Sequence, residues 1–226
     1  MPKIWIAIVA AGVIVVGAVV VWLAIGPDET PRPVEEVERP AVEAPEGASA
    51  ADVEVRPGDR ILGDEAAPVT IVEYASLTCP HCADFHVDIL PALKERYIEP
   101  GHVRLIYRDF PLDQLALRAA GLARCVEGRA YWGMLDILFE SQERWARSAE
   151  PIEALARLGR VAGLDDDEIG RCLNDEEVLD DVVNERLHGE QRFQINSTPT
   201  FVIEGRIYRG AMSVDQFAEV LDPLVP

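Results

Sequence analysis

Apolar residues are distributed along this chain in three distinct ways. Residues 4–25 form one continuous apolar stretch, rich in Val, Ile and Ala and free of charged side chains. As a helix rising about 1.5 Å per residue, a run of 22 residues is long enough to cross a bilayer. Residues 27–59 are the opposite case: Pro31, Pro33, Pro40, Pro45 and Pro57 stand among many Glu and Ala, with too few large apolar groups to build a core. From Arg60 onward the pattern is that of a folded domain. Val69–Ala75 reads as a buried strand, residues 82–97 as a helix and residues 103–108 as a second strand. Helical periodicity then dominates from about residue 113 to 191. Two short strands, Thr200–Ile203 and Arg206–Arg209, follow with a Glu204-Gly205 turn of hairpin type between them, and residues 213–221 close the chain as a helix. The predicted fold class is α/β: a βαβ unit, a helical insertion, then a hairpin and a helix.

These patterns divide the chain into a membrane anchor (1–26), an acidic Pro-rich linker (27–59) and one domain (60–226) with its insertion at about 113–191. Lys3 precedes the apolar run while Asp28 and Glu29 follow it, which places a short N-terminus in the cytoplasm and the domain outside it. A cleaved signal peptide is the alternative. The run is longer than the usual core of such a peptide, about 7–15 residues, and no Ala-x-Ala site closes it. Extended by proline and self-repelling charge, the linker reads as a tether. A formal net charge of −19 excludes nucleic acid as an expected partner, because phosphate binding needs a basic face.

Chemistry enters at Cys79-Pro80-His81-Cys82, where a strand gives way to a helix. A helix N-terminus offers unpaired N–H groups and the positive end of its dipole, both of which favour a thiolate at Cys79. Cys82, one turn on, is placed to close a disulfide or resolve a mixed one. Pro80 suits a first helical turn because it has no N–H to leave unpaired. Between the cysteines, the His81 imidazole is expected to donate a hydrogen bond or charge to the Cys79 thiolate, stabilising the reduced form and making the disulfide a stronger oxidant; an imidazole that simply points to solvent is the alternative. A zinc site would need a second CxxC or paired histidines; His81, His86, His102 and His188 show no such spacing, so neither metal nor cofactor is expected. Cys125 and Cys172 lie in the insertion, 47 residues apart, and read as a structural disulfide, with a second redox pair or two free thiols as the alternatives.

The block Glu73-Tyr-Ala-Ser-Leu-Thr-Cys-Pro-His-Cys82, the segment Tyr107-Arg-Asp-Phe-Pro-Leu112 and Ser197-Thr198-Pro199-Thr200 before the penultimate strand closely resemble the DsbA-like thiol–disulfide oxidoreductases of the thioredoxin superfamily. That resemblance, over about residues 64–224, implies a thioredoxin-like fold interrupted by helices and oxidation of dithiols in exported, unfolded proteins. It implies a cis bond before Pro199, with Thr198 presenting its backbone to substrate and its hydroxyl to the sulfurs. Glu73 matches a buried acid able to exchange a proton with Cys82, and Arg108 is its expected counter-charge. A quinone-linked membrane oxidase of the DsbB type is the implied reoxidant. Two rivals remain: a disulfide isomerase or reductase, and a peptide-binding chaperone module with vestigial redox activity.

Overall fold

The structure is a computed structural model and describes residues 42–43, 53 and 55–226. The expected anchor at residues 4–25 lies outside these, and no helix among the described residues is long and apolar enough to cross a membrane. Strands β1 (Val42–Glu43), β2 (Arg60–Leu62), β3 (Val69–Ala75), β4 (Val103–Asp109), β5 (Thr200–Ile203) and β6 (Arg206–Arg209) build a sheet in the order β1-β6-β5-β3-β4-β2. β3 and β4 run parallel and every other neighbouring pair is antiparallel. All seven residues of β3 are buried, as expected of a central strand covered on both faces.

Alternation along β3 sorts the core into two layers. Ile71 and Glu73 share one face with Leu105, Tyr107, Phe201 and Ile203; Val72 and Tyr74 share the other with Ile106, Arg108 and Val202. The first face is covered by helical segment α1 and by the C-terminal helix α8 (Val214–Leu221), through Phe85, Leu90 and Phe217. Phe110, Phe193 and Ile195 cover the second face. Segment α1 consists of α-helical Pro80–Asp84 and Leu90–Leu93, each followed by a π-helical turn, Phe85–Ile89 and Lys94–Ile98. Pro91 brings no N–H to the carbonyl one turn back, which loosens the ladder there.

The long helical stretch of the sequence is six helices: α2 (Gln114–Arg124), α3 (Gly128–Glu140), α4 (Gln142–Ala146), α5 (Pro151–Val161), α6 (Asp166–Cys172) and α7 (Glu176–Phe193). Local signals divide them. Asp113 caps α2 by accepting from the Ala116 N–H, Pro151 starts α5, and Asp165 with Glu168 forms a capping box on α6. Cys125, just past α2, is disulfide-bonded to Cys172 at the end of α6, with Cα atoms 5.7 Å apart. In the hairpin, Glu204 and Gly205 have φ of 47° and 75°, the two positive values that a two-residue turn of this kind requires.

The N-terminal boundary differs from the expected one at residue 60. Val42–Glu43 pairs antiparallel with β6, Val53 is buried among Val72, Tyr74 and Phe193, and Asp59 binds the core Arg108 at 2.8 and 2.9 Å. A composition average over residues 27–59 hides these contacts, because each is made by an isolated residue set among prolines and acids.

Candidate active site

β3 ends at Ala75 and the chain turns through Ser76-Leu77-Thr78 before Cys79. The Cys79 N–H donates to the Ser76 carbonyl at 3.0 Å, and the Thr78 hydroxyl donates to Asp113 at 2.7 Å. Cys79 has extended backbone angles, φ −83° and ψ 119°, and stands as the N-cap of α1 with Pro80 in its first turn. Its carbonyl accepts from the Cys82 and Ala83 N–H groups at 3.1 and 3.2 Å. Both cysteines are free thiols here, and Cys82 is fully buried while Cys79 is 6% exposed.

The Thr198–Pro199 bond is cis, and the loop carrying it faces Cys79: the Sγ atom donates to the Thr198 carbonyl at 3.3 Å. The Thr198 hydroxyl is buried without a hydrogen-bond partner. From the insertion, the Gln142 amide donates to the carbonyls of Leu77 and Cys79, each at 2.9 Å. Two clefts, of about 230 and 310 Å³, open on either side of Pro80 and share Gln142 and Glu143 in their walls.

The two thiols are electrostatically unequal. Hydrogen bonding from Cys82 is the largest influence on Cys79; joined by the N–H groups of Cys82 and His81, it outweighs burial and lowers the Cys79 pKa to about 5. Burial, the hydrogen bond given to Cys79 and the nearby charge of Glu73 hold the Cys82 thiol well above its ordinary value. At neutral pH one sulfur is a thiolate and the other a thiol.

Two expected contacts are corrected by the structure. The His81 imidazole, 69% exposed, lies 3.3 Å from Asp84 Oδ2 and turns to solvent, so what His81 offers Cys79 is its backbone N–H. This follows from helix geometry, in which residue three of a turn points away from the residue that caps it. Arg108 is not the counter-charge of Glu73. The two lie on opposite faces of the sheet, since Glu73 registers with Tyr107 and Tyr74 with Arg108. Arg108 instead binds Asp59 and, at 3.1 Å, the Tyr74 hydroxyl.

Glu73 meets His86. Its Oε2 lies 2.9 Å from His86 Nε2, both side chains are at most 1% exposed, and the imidazole stacks on Phe139 with ring centroids 4.1 Å apart. His86 follows Cys82 by four residues, a spacing that puts both on one helix face, and this is the signal by which sequence alone could have marked it. Gln142 carries no such signal. Among the described residues no group of three or more His, Cys, Asp or Glu side chains is placed to hold a metal ion.

Comparison with known proteins agrees with this geometry. A family model described as thioredoxin matches residues 55–223. A protein of Rickettsia conorii provisionally named a protein-disulfide oxidoreductase is 30% identical over 86% of this chain and 69% of its own length. Its Rickettsia felis counterpart is 31% identical over 73% of this chain; the match covers only 59% of that relative. Among solved structures, alpha-DsbA1 of Wolbachia pipientis is 32% identical, with a TM-score of 0.73 over 78% of this chain and 95% of that one.

Proposed function

The chain belongs to the DsbA-like thiol–disulfide oxidoreductases of the thioredoxin superfamily, and from that premise we propose that it is a dithiol oxidase that donates its Cys79–Cys82 disulfide to exported proteins. The observation that carries the reading is the inequality of the two thiols. Stabilising a Cys79 thiolate stabilises the reduced form, which makes the disulfide a stronger oxidant.

In the proposed reaction a substrate thiolate attacks Cys79 Sγ, a substrate–Cys79 disulfide forms, and the Cys79–Cys82 bond breaks. Its electron pair stays on Cys82 Sγ, which takes up a proton because its buried site disfavours the anion. A second substrate thiolate then attacks the substrate sulfur, closing the substrate disulfide and releasing Cys79 as a thiolate. The enzyme leaves reduced by two electrons. The Thr198–Pro199 loop, whose Thr198 carbonyl lies 3.3 Å from the Cys79 sulfur, gives an extended substrate its backbone, and the clefts beside Pro80 receive flanking side chains.

The apolar run at residues 4–25 supports a membrane tether with the domain on the extracytoplasmic side, and a quinone-linked oxidase of the DsbB type would restore the disulfide there. Equilibration with glutathione tests the direction of the chemistry. A potential nearer the roughly −120 mV of DsbA than the roughly −270 mV of thioredoxin is expected, whereas a thioredoxin-like value would make the enzyme a reductase.

A further inference from the structure

Behind Cys82 lies a polar cluster that exchange at Cys79 does not by itself require. Glu73 from β3 and His86 from α1 share a hydrogen bond of 2.9 Å. Around them are the rings of Phe85, Tyr107 and Phe139, and the His86–Tyr107 centroids are 5.7 Å apart. Three polar atoms of this cluster, Glu73 Oε1, His86 Nδ1 and Tyr107 Oη, are buried and have no hydrogen-bond partner. An unpaired buried polar atom is costly, so three in one pocket call for a function beyond packing. Glu73 also acts electrostatically on both Cys82 and Tyr107.

We infer that His86 is the proton-holding partner of Glu73, and that this pair delivers the proton Cys82 needs when the disulfide opens and takes it back when Cys82 attacks. The inference rests on the dithiol exchange proposed above. As the Cys79–Cys82 bond breaks, the electron pair on Cys82 Sγ is met by a proton from the Glu73–His86 pair. Before the transfer the pocket holds a thiolate and a neutral pair; after it, a thiol and a pair of net charge −1. The net charge of a site sealed from solvent is therefore unchanged, and no buried charge is created or lost. The His86 Nε2–H then holds the remaining carboxylate with a charge-assisted hydrogen bond, while Nδ1, free of any other partner, gives the pair a second place for the proton.

Other titratable groups facing the pair are Cys82 from α1 and Tyr107 from β4; α3 contributes the uncharged Phe139, and Tyr131 and Asp109 act on it through Tyr107. The decisive variant is His86→Gln, which keeps a donor for Glu73 and removes the proton-accepting nitrogen. Rapid mixing of the oxidised enzyme with a cysteine-containing peptide, across about pH 5 to 9, should show mixed-disulfide formation slowed by about tenfold or more and a changed pH profile. The Cys79 titration should stay at about 5, which a general loosening of the site would not allow. An unaltered rate and profile would overturn the inference. If His86→Gln does not fold, nitrogen-15 histidine spectra of the unmodified chain decide the matter: His86 should change protonation or tautomer between the disulfide and dithiol forms, and an identical signal in both overturns it. A chain that exchanges no disulfide with the peptide refutes the oxidoreductase proposal itself, whereas an active chain with an indifferent His86 refutes only this inference.

Discussion

A thiol held at about 5 in a site only 6% exposed is an energetic statement as well as a chemical one. Its folded pKa lies below the unfolded value, so the stabilisation it gives the reduced protein is complete above the ordinary thiol range and is lost as pH falls toward about 5. At neutral pH it is on the order of 2–3 kcal/mol, and the disulfide form lacks it. Thermal melts of the two forms should therefore diverge in favour of the dithiol near pH 7 and converge as pH approaches about 5. The same ordering of causes predicts the effect of Cys82→Ala: with its leading hydrogen bond gone, Cys79 should titrate closer to an ordinary thiol, as thiolate absorbance would show. An unmoved titration would mean that the N–H groups of the helix terminus hold the charge unaided. The placement of Cys79 and Cys82 at a strand-to-helix turn was legible in the sequence because motif and context agree. The role of His81 was misread, because spacing shows that a side chain is near but not which way it turns.

At the scale of elements, the insertion is fastened to the redox centre and to itself by different means. Gln142 reaches from the start of α4 to two carbonyls of the active-site turn. In Gln142→Ala the Leu77 carbonyl loses its side-chain donor, while that of Cys79 keeps the N–H groups of Cys82 and Ala83. A loss of about 1–3 kcal/mol in denaturant melts is expected, together with a displaced Cys79 titration. The Cys125–Cys172 bond ties the end of α2 to the end of α6. It closes a 47-residue separation, worth on the order of 4 kcal/mol by chain entropy, so replacing both cysteines with serine should lower the melting temperature and leave the Cys79 pKa alone. α7 meets the sheet at Gly189, where an added Cβ would stand 2.6 Å from the Tyr74 ring; Gly189→Ala should cost about 1–3 kcal/mol by overpacking. Strands β3 to β6 and the hairpin turn were readable from local period and turn chemistry, whereas β1 and β2, at two and three residues, are too short to show a period. Gln142 and Gly189 were not, since each is defined by a partner distant in sequence.

For the whole molecule, the question of scale is where the domain starts. Sequence composition assigns everything before Arg60 to a tether, and the sheet disagrees. Arg108 is fully buried in a central strand, and its bidentate partner Asp59 stands just outside that boundary with a side chain 1% exposed. Breaking a buried ion pair by removing its carboxylate costs about 3–5 kcal/mol. Val53 adds an apolar contact to the same layer, and Val42–Glu43 covers the outer edge of β6, which would otherwise present unpaired N–H and C=O groups. These contacts were illegible beforehand because a low average hydrophobicity says nothing about one aspartate aimed at one arginine. A chain starting at Arg60 should consequently unfold at markedly lower denaturant than one starting at Pro40, with a loss of several kcal/mol, of which Asp59→Asn in the longer chain reproduces the larger part. Equal midpoints for the two chains would return the boundary to residue 60 and leave the burial of Arg108 to contacts other than Asp59, that with the Tyr74 hydroxyl among them.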